Sequence, residues 1–299
     1  MASTFIFGFI PYSSGKTVIS TALARGLLNH GMQVGVFKPR SGHNMWYQYD
    51  AFLNCKFENR LFCEDIIKLK AASKCNLPYE ILNPIDALIS PLNLEVFFKL
   101  DLIDWMYMVE GNIFHHLLAE RYTELKDGKI VNMLLVNESN LKEKLVLQDR
   151  VYMDSLKNSV DKIILVRNVD EWNAYYRKLA PQCIYSCYSK LKDEYEILVV
   201  EGYNDALIPS IELLNDVDVV IGVSPGVAVL YEGNEFRSVV AGLMDLGRDI
   251  MSLKSKDVVK FLRKFKIIRI PALSKSDLND YDRLAAKLEY VIDEVIPYF

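Results

Sequence analysis

Thr4-Phe5-Ile6-Phe7-Gly8-Phe9, followed by Ile10-Pro11-Tyr12-Ser13-Ser14-Gly15-Lys16-Thr17, is the stretch from which the rest of the chain is read. The first run is apolar throughout, which is how a central parallel strand reads when helices cover both its faces. The second run holds Pro11, Ser13, Ser14 and Gly15 and reads as a loop. Thr17 to Leu28 then carries apolar residues at helical spacing, and His30-Gly31 is a helix stop. Gln33-Val34-Gly35-Val36-Phe37-Lys38 reads as a second strand ending at Pro39. Strand, loop, helix and strand make one βαβ unit, whose crossover is expected to be right-handed.

The turn matches the back half of the pattern G-x-x-x-x-G-K-[ST]. Gly15, Lys16 and Thr17 fill the last three positions; Ile10 stands at the first, with Gly8 two residues earlier. The back half carries the chemistry. Backbone N–H groups from Ser13 to Thr17 are expected to form an anion nest, and Gly15 admits close approach without a Cβ. The helix beginning near Lys16 aims its positive dipole end at the same place. Lys16 is expected to bridge phosphates as a point charge, and the Thr17 hydroxyl to be a Mg2+ ligand. The plain alternative is an ordinary βα turn with Lys16 in the first turn of a helix, where the dipole disfavours a cation.

Working outward, strands are expected at residues 130–136, 161–166, 196–202, 218–223 and 266–271. Helices are expected at 60–75, 99–126, 236–246, 255–264 and, as one amphipathic C-terminal helix, 277–295. Strands alternating with helices predict an α/β fold: a three-layer P-loop NTPase fold with a mostly parallel central sheet. Residues 1–299 are expected to form a single domain with an insertion at about 95–190.

Composition narrows the function. Of 299 residues, 51% are hydrophobic and 25% charged, and the net charge of −4 offers no basic surplus for nucleic acid. No apolar stretch reaches the roughly 18 residues that span a bilayer. Met1-Ala2-Ser3-Thr4-Phe5 lacks a basic n-region and a cleavage-like site, so a cytoplasmic protein is expected. Five scattered cysteines and four histidines do not suit a structural zinc site; reduced, mostly buried thiols are expected.

Four landmarks resemble dethiobiotin synthetase and its relatives, which include the N-terminal domain of some phosphotransacetylases and the cobyrinic acid amide synthases. They are Tyr12-Ser13-Ser14-Gly15-Lys16-Thr17 with its helix, and Val34-Gly35-Val36-Phe37-Lys38-Pro39. The others are Glu64-Asp65-Ile66-Ile67 followed by Asn83-Pro84 and Ser90-Pro91, and Ile197-Leu198-Val199-Val200-Glu201-Gly202 followed by Pro209. The resemblance covers about residues 4–91 and 195–275. It implies Lys16 and Lys38 as catalytic cations, Asp65 and Glu201 as Mg2+ ligands beside Thr17, and Ser41 as a further phosphate or substrate contact. Asp50 is a rival for the place of Asp65. A structural ion pair is the plain alternative for Lys38 and Glu201, and an exposed helical position for Asp65.

Two departures stand out. Tyr203-Asn204-Asp205-Ala206 replaces the small residues that follow Glu-Gly in the family, and the asparagine that reads adenine has no counterpart near residues 223–229. ATP is therefore the expected nucleotide by family only. The resemblance implies Mg2+-dependent ATP hydrolysis, or ligase-like phosphoryl transfer to a small carboxylate or carbamate. Alternatives are a nucleotide-binding regulatory module with little turnover, and an interaction protein that keeps only the fold. A homodimer is common in the family, and Trp105, Tyr107 and Phe114 are candidates for either its interface or the core.

Overall fold

The N-terminal apolar run forms strand β1, Ala2–Gly8, and every residue from Ser3 to Gly8 is buried. Successive side chains point to opposite faces, so burial along the whole run means that both faces are covered. The computed structural model describes residues 1–299. After β1 come β2 (Val34–Phe37), β3 (Arg40–Asn44), β4 (Ile85–Ile89), β5 (Leu117–Lys126) and β6 (Lys129–Asn137). The last five are β7 (Lys162–Val166), β8 (Ile197–Glu201), β9 (Val219–Ser224), β10 (Val227–Glu232) and β11 (Phe265–Arg269).

These strands make two sheets, one of six strands in the order β11-β10-β9-β1-β8-β2 and one of five in the order β3-β4-β5-β6-β7. In the first, β9, β1, β8 and β2 run parallel, while β10 and β11 are antiparallel additions. The expected α/β class and mostly parallel sheet hold for these six strands. The second sheet is mixed: β3 and β4 are parallel, β5 is antiparallel to both its neighbours, and β6 and β7 are parallel.

The chain divides into two compact units. One comprises Met1–Pro39, Asp65–Pro78 and Tyr188–Phe299 and holds the six-stranded sheet; the other comprises Arg40–Glu64 and Tyr79–Cys187 and holds the five-stranded one. The second unit thus takes in residues 40–64 and 79–94 as well as most of the 95–190 interval.

In the first unit, helix α1 (Lys16–Asn29) packs on β1, β2 and β8 and buries Ile19, Leu23 and Leu27. In the second, α2 spans Tyr49–Glu58. Helix α3 spans Glu64–Ser73, starting later than residue 60. All five cysteines are free and buried, as expected. No helix is long and apolar enough to cross a membrane.

Three expectations need correction. Residues 99–126 are not one helix: a helix covers Ile103–Val109, a 3-10 turn covers Ile113–His116, and Leu117–Lys126 is β5. The adjacent polar residues Glu120 and Arg121 hid this strand, because both are buried and the alternation of a half-exposed strand is missing. Glu120 accepts from Tyr122 Oη at 2.7 Å and Trp172 Nε1 at 2.5 Å, and Arg121 Nε donates to the Leu61 carbonyl at 2.8 Å. The C-terminal helix is broken into Lys275–Leu278, Tyr281–Lys287 and Glu289–Val295. Asp280 makes the first break by capping the next segment, accepting from the N–H groups of Asp282 and Arg283. Residues 255–264 hold only the helical turn Ser255–Val258 followed by a 3-10 turn. Strands β3 and β10 and the long helix Val169–Glu194 were not foreseen.

Candidate active site

The loop between β1 and α1 is shaped by its backbone. Gly15 has φ 93° and ψ 10°, and Ser13 also has positive φ, at 52°. Left-handed residues bend successive amides toward one side, the geometry of an anion nest. No backbone N–H from Ser13 to Val18 donates to a protein acceptor. Such groups are ordinarily satisfied, so a run of them marks a place for an anion or water. The first turn of α1 has no acidic residue to compete for the dipole. Gly8 fixes the seat of the loop: a Cβ there would lie 2.7 Å from Ser14 Oγ, 2.8 Å from the Ile10 carbonyl and 3.0 Å from that of Asn204.

Ser13 is exposed in this loop, whereas Ser14 and Lys16 are buried. Lys16 Nζ donates to Ser14 Oγ at 3.2 Å. Burial, and then the nearby Lys38 ammonium, push the Lys16 amine below its ordinary pKa. The carboxylates of Glu201, Asp65 and Asp205 oppose that shift.

Beside the loop, three further expected residues converge. β2 and β8 pair in parallel with Phe37 opposite Val200, so Lys38 and Glu201 follow together at the carboxyl ends of adjacent strands. Ligand sites of parallel sheets form at this edge. Lys38 Nζ lies 2.6 Å from Glu201 Oε1 and 2.7 Å from Asp65 Oδ2. It also donates to the Gly202 carbonyl at 3.4 Å. Thr17 Oγ1 lies 3.0 Å from Asp65 Oδ1 and 3.0 Å from Glu201 Oε1. A hydroxyl has one hydrogen, so it donates to one of these carboxylates at a time.

The two acids differ in environment. Glu201 is fully buried, and its Oε2 has no hydrogen-bond partner. Burial raises its pKa, and the Asp65 charge adds to the rise against the pull of Lys38. Asp65 keeps a third of its side chain exposed. Burial acts to raise its pKa too, but the Lys38 ion pair and hydrogen bonds from Lys38 and Thr17 outweigh it and hold it below the ordinary value.

This donor set fits Mg2+. Thr17 Oγ1 has two carboxylate oxygens within hydrogen-bond distance, all hard donors, and Glu201 offers a buried oxygen with no other partner.

The structure therefore brings Ser14, Gly15, Lys16, Thr17, Lys38, Asp65 and Glu201 into one unit and places Ser41 and Asp50 in the other. Asp50 is exposed in the first turn of α2. Ser41 is buried on β3, and its hydroxyl lies 2.5 Å from Asp86 Oδ1, so it is committed there. Phe114 is core, Trp105 is partly buried and Tyr107 is exposed. Sequence reasoning did not single out Asp205, whose charge acts on Lys16, or Gly8 as a contact point; the place of Gly8 at the end of β1 was the available signal. No family model matches the chain, and no curated protein matches it.

Proposed function

We propose that the chain is a P-loop protein of three-layer α/β architecture that binds ATP with Mg2+ and transfers its γ-phosphoryl group to water or to a small carboxylate or carbamate. One observation carries this reading. A run of unpaired main-chain N–H groups, at the start of a helix and with a buried lysine, adjoins a threonine hydroxyl and two carboxylates. That combination serves a polyphosphate and a hard cation together.

The N–H groups from Ser13 to Val18 and the Lys16 ammonium would bind the phosphates and orient the terminal one. Thr17, Asp65 and Glu201 would hold Mg2+, which when bound neutralises charge on the phosphates. Attack by the substrate oxygen on the γ-phosphorus forms a new P–O bond and breaks the bond to the β,γ-bridging oxygen. ADP leaves with that electron pair, and a carboxylate substrate becomes a mixed anhydride. Lys16 and Lys38 stabilise charge on the transferring group. Burial of Lys16, Lys38 and Glu201 keeps water from weakening those interactions.

The second reading is a nucleotide-binding regulatory module with little turnover. It is favoured by Tyr203-Asn204-Asp205 standing where the resembled family has small residues. A cytoplasmic location and a homodimer belong to the same proposal, and the homodimer rests on the resemblance to dethiobiotin synthetase.

Calorimetry on the intact protein with millimolar Mg2+ tests binding: heat is expected with ATP and none with Lys16→Ala. Absence of heat with every common nucleoside triphosphate would sink the proposal. Phosphate release, measured with and without Glu201→Gln, separates the enzyme from the regulatory module.

A further inference from the structure

The Lys38 ammonium occupies the carboxylates that the proposed site would offer to a metal. Asp65 Oδ2 and Glu201 Oε1 accept from Lys38, and the single Thr17 hydroxyl hydrogen goes to Asp65 Oδ1 or to Glu201 Oε1 at any one time. Glu201 Oε2 is buried without a partner. The Lys38 side chain is itself only 3% exposed, so water does not take its place.

Charge gives this arrangement its meaning. Lys16 and Lys38 face Asp65 and Glu201, while the Asp205 charge acts on Lys16 and the Lys68 charge on Asp65, so three cations balance three carboxylates with nothing bound. A bare divalent cation entering there adds two uncompensated positive charges, close to the Lys38 ammonium, where burial weakens screening. A metal–triphosphate complex brings its own negative charge, and its phosphates offer Lys38 a new partner.

We infer that Lys38 is an internal stand-in for the metal: it bars free divalent cations from Asp65 and Glu201 and yields these carboxylates only when the metal arrives with a nucleotide. The inference rests on the nucleotide reading above and adds an order of binding to it. Lys38 acts as a positioning residue in the resting site and meets the phosphates after displacement. An ion pair kept only for stability would not control metal entry.

The test uses Mn2+ as a paramagnetic probe on the full chain without nucleotide, followed by electron paramagnetic resonance. Wild type is expected to bind Mn2+ weakly, and Lys38→Met at least about tenfold more tightly, because a buried like charge is removed. Adding Glu201→Gln to Lys38→Met is expected to abolish the gain. Equal Mn2+ affinity in wild type and Lys38→Met overturns the inference. Should Lys38→Met fail to fold, wild type labelled with 15N-lysine decides. The Lys38 ammonium resonance is expected to shift with Mg2+ plus a non-hydrolysable ATP analogue and to stay with Mg2+ alone. A shift with Mg2+ alone, or none with both, overturns it. The two readings fail separately: no nucleotide heat in wild type refutes the proposed function, whereas unchanged Mn2+ affinity with that heat intact refutes only the gating.

Discussion

His43 Nδ1 lies 3.0 Å from Asp86 Oδ2, and both side chains are fully buried. The parallel pairing of β3 with β4 sets the two strands that carry them side by side. Burial alone would lower the imidazole pKa, but the Asp86 charge and hydrogen bond, with help from Cys55, raise it to about 10. A group raised on folding stabilises fully below its unfolded pKa and loses that effect as pH climbs toward the folded value. Stability is therefore expected to fall between about pH 6.5 and pH 10, by at most about 4–5 kcal/mol. Urea titrations across that range check it. His43→Gln is expected to flatten the slope; an unchanged slope in that variant would assign it to other groups.

Glu201→Gln is expected to leave the protein as stable as wild type at pH 7 or more so. Burial raises the pKa of this acid, so its charged form is disfavoured in the folded state. The same change removes a charged oxygen donor and is expected to weaken Mg2+-dependent nucleotide binding at least about tenfold. Paired measurements of urea midpoint and calorimetric affinity test both halves. A large loss of stability would show that the carboxylate is structural.

Gly8→Ala is expected to disturb the loop between β1 and α1. Two of the atoms its Cβ would crowd are backbone carbonyl oxygens, of Ile10 and Asn204, which have no rotamer to move into. The predicted cost is about 1–3 kcal/mol in stability, with weaker nucleotide binding. Normal affinity and an unchanged melting temperature would show that the loop relaxes freely.

Gly26 meets the C-terminal segment. A Cβ on it would lie 2.1 Å from Ile292 Cδ1, and Ile292 is fully buried. Gly26→Ala is expected to destabilise by about 1–3 kcal/mol despite the better helix propensity of alanine. Ile292→Ala, costly alone, is expected to be cheaper in the Gly26→Ala background, with a coupling above about 0.5 kcal/mol. Strict additivity in a double-mutant cycle would refute the contact.

Some of this structure was legible along the chain and some was not. β1, the loop and α1 could be read because their signals lie within residues 4–29 and are satisfied locally. Asp127-Gly128, both with positive φ, forms the tight turn of the β5–β6 hairpin. That dipeptide is a strong local hairpin signal that the helical reading of residues 99–126 left unused. Ser41 shows the opposite limit. It lies three residues after Lys38, yet β3 belongs to the second sheet and commits its hydroxyl to Asp86.

The sequence by itself determined the strand–loop–helix at the N-terminus, the buried thiols and the α/β alternation. Each follows from neighbours in the chain or from summed hydrophobicity. Tertiary structure alone decided that Lys38 sits between Asp65 and Glu201, residues 27 and 163 positions away in sequence. It also decided that Asp65, and not Asp50, reaches Thr17, and that eleven strands divide into two sheets. The physical reason is that strand order, register and the sharing of buried charge depend on partners that no local pattern encodes.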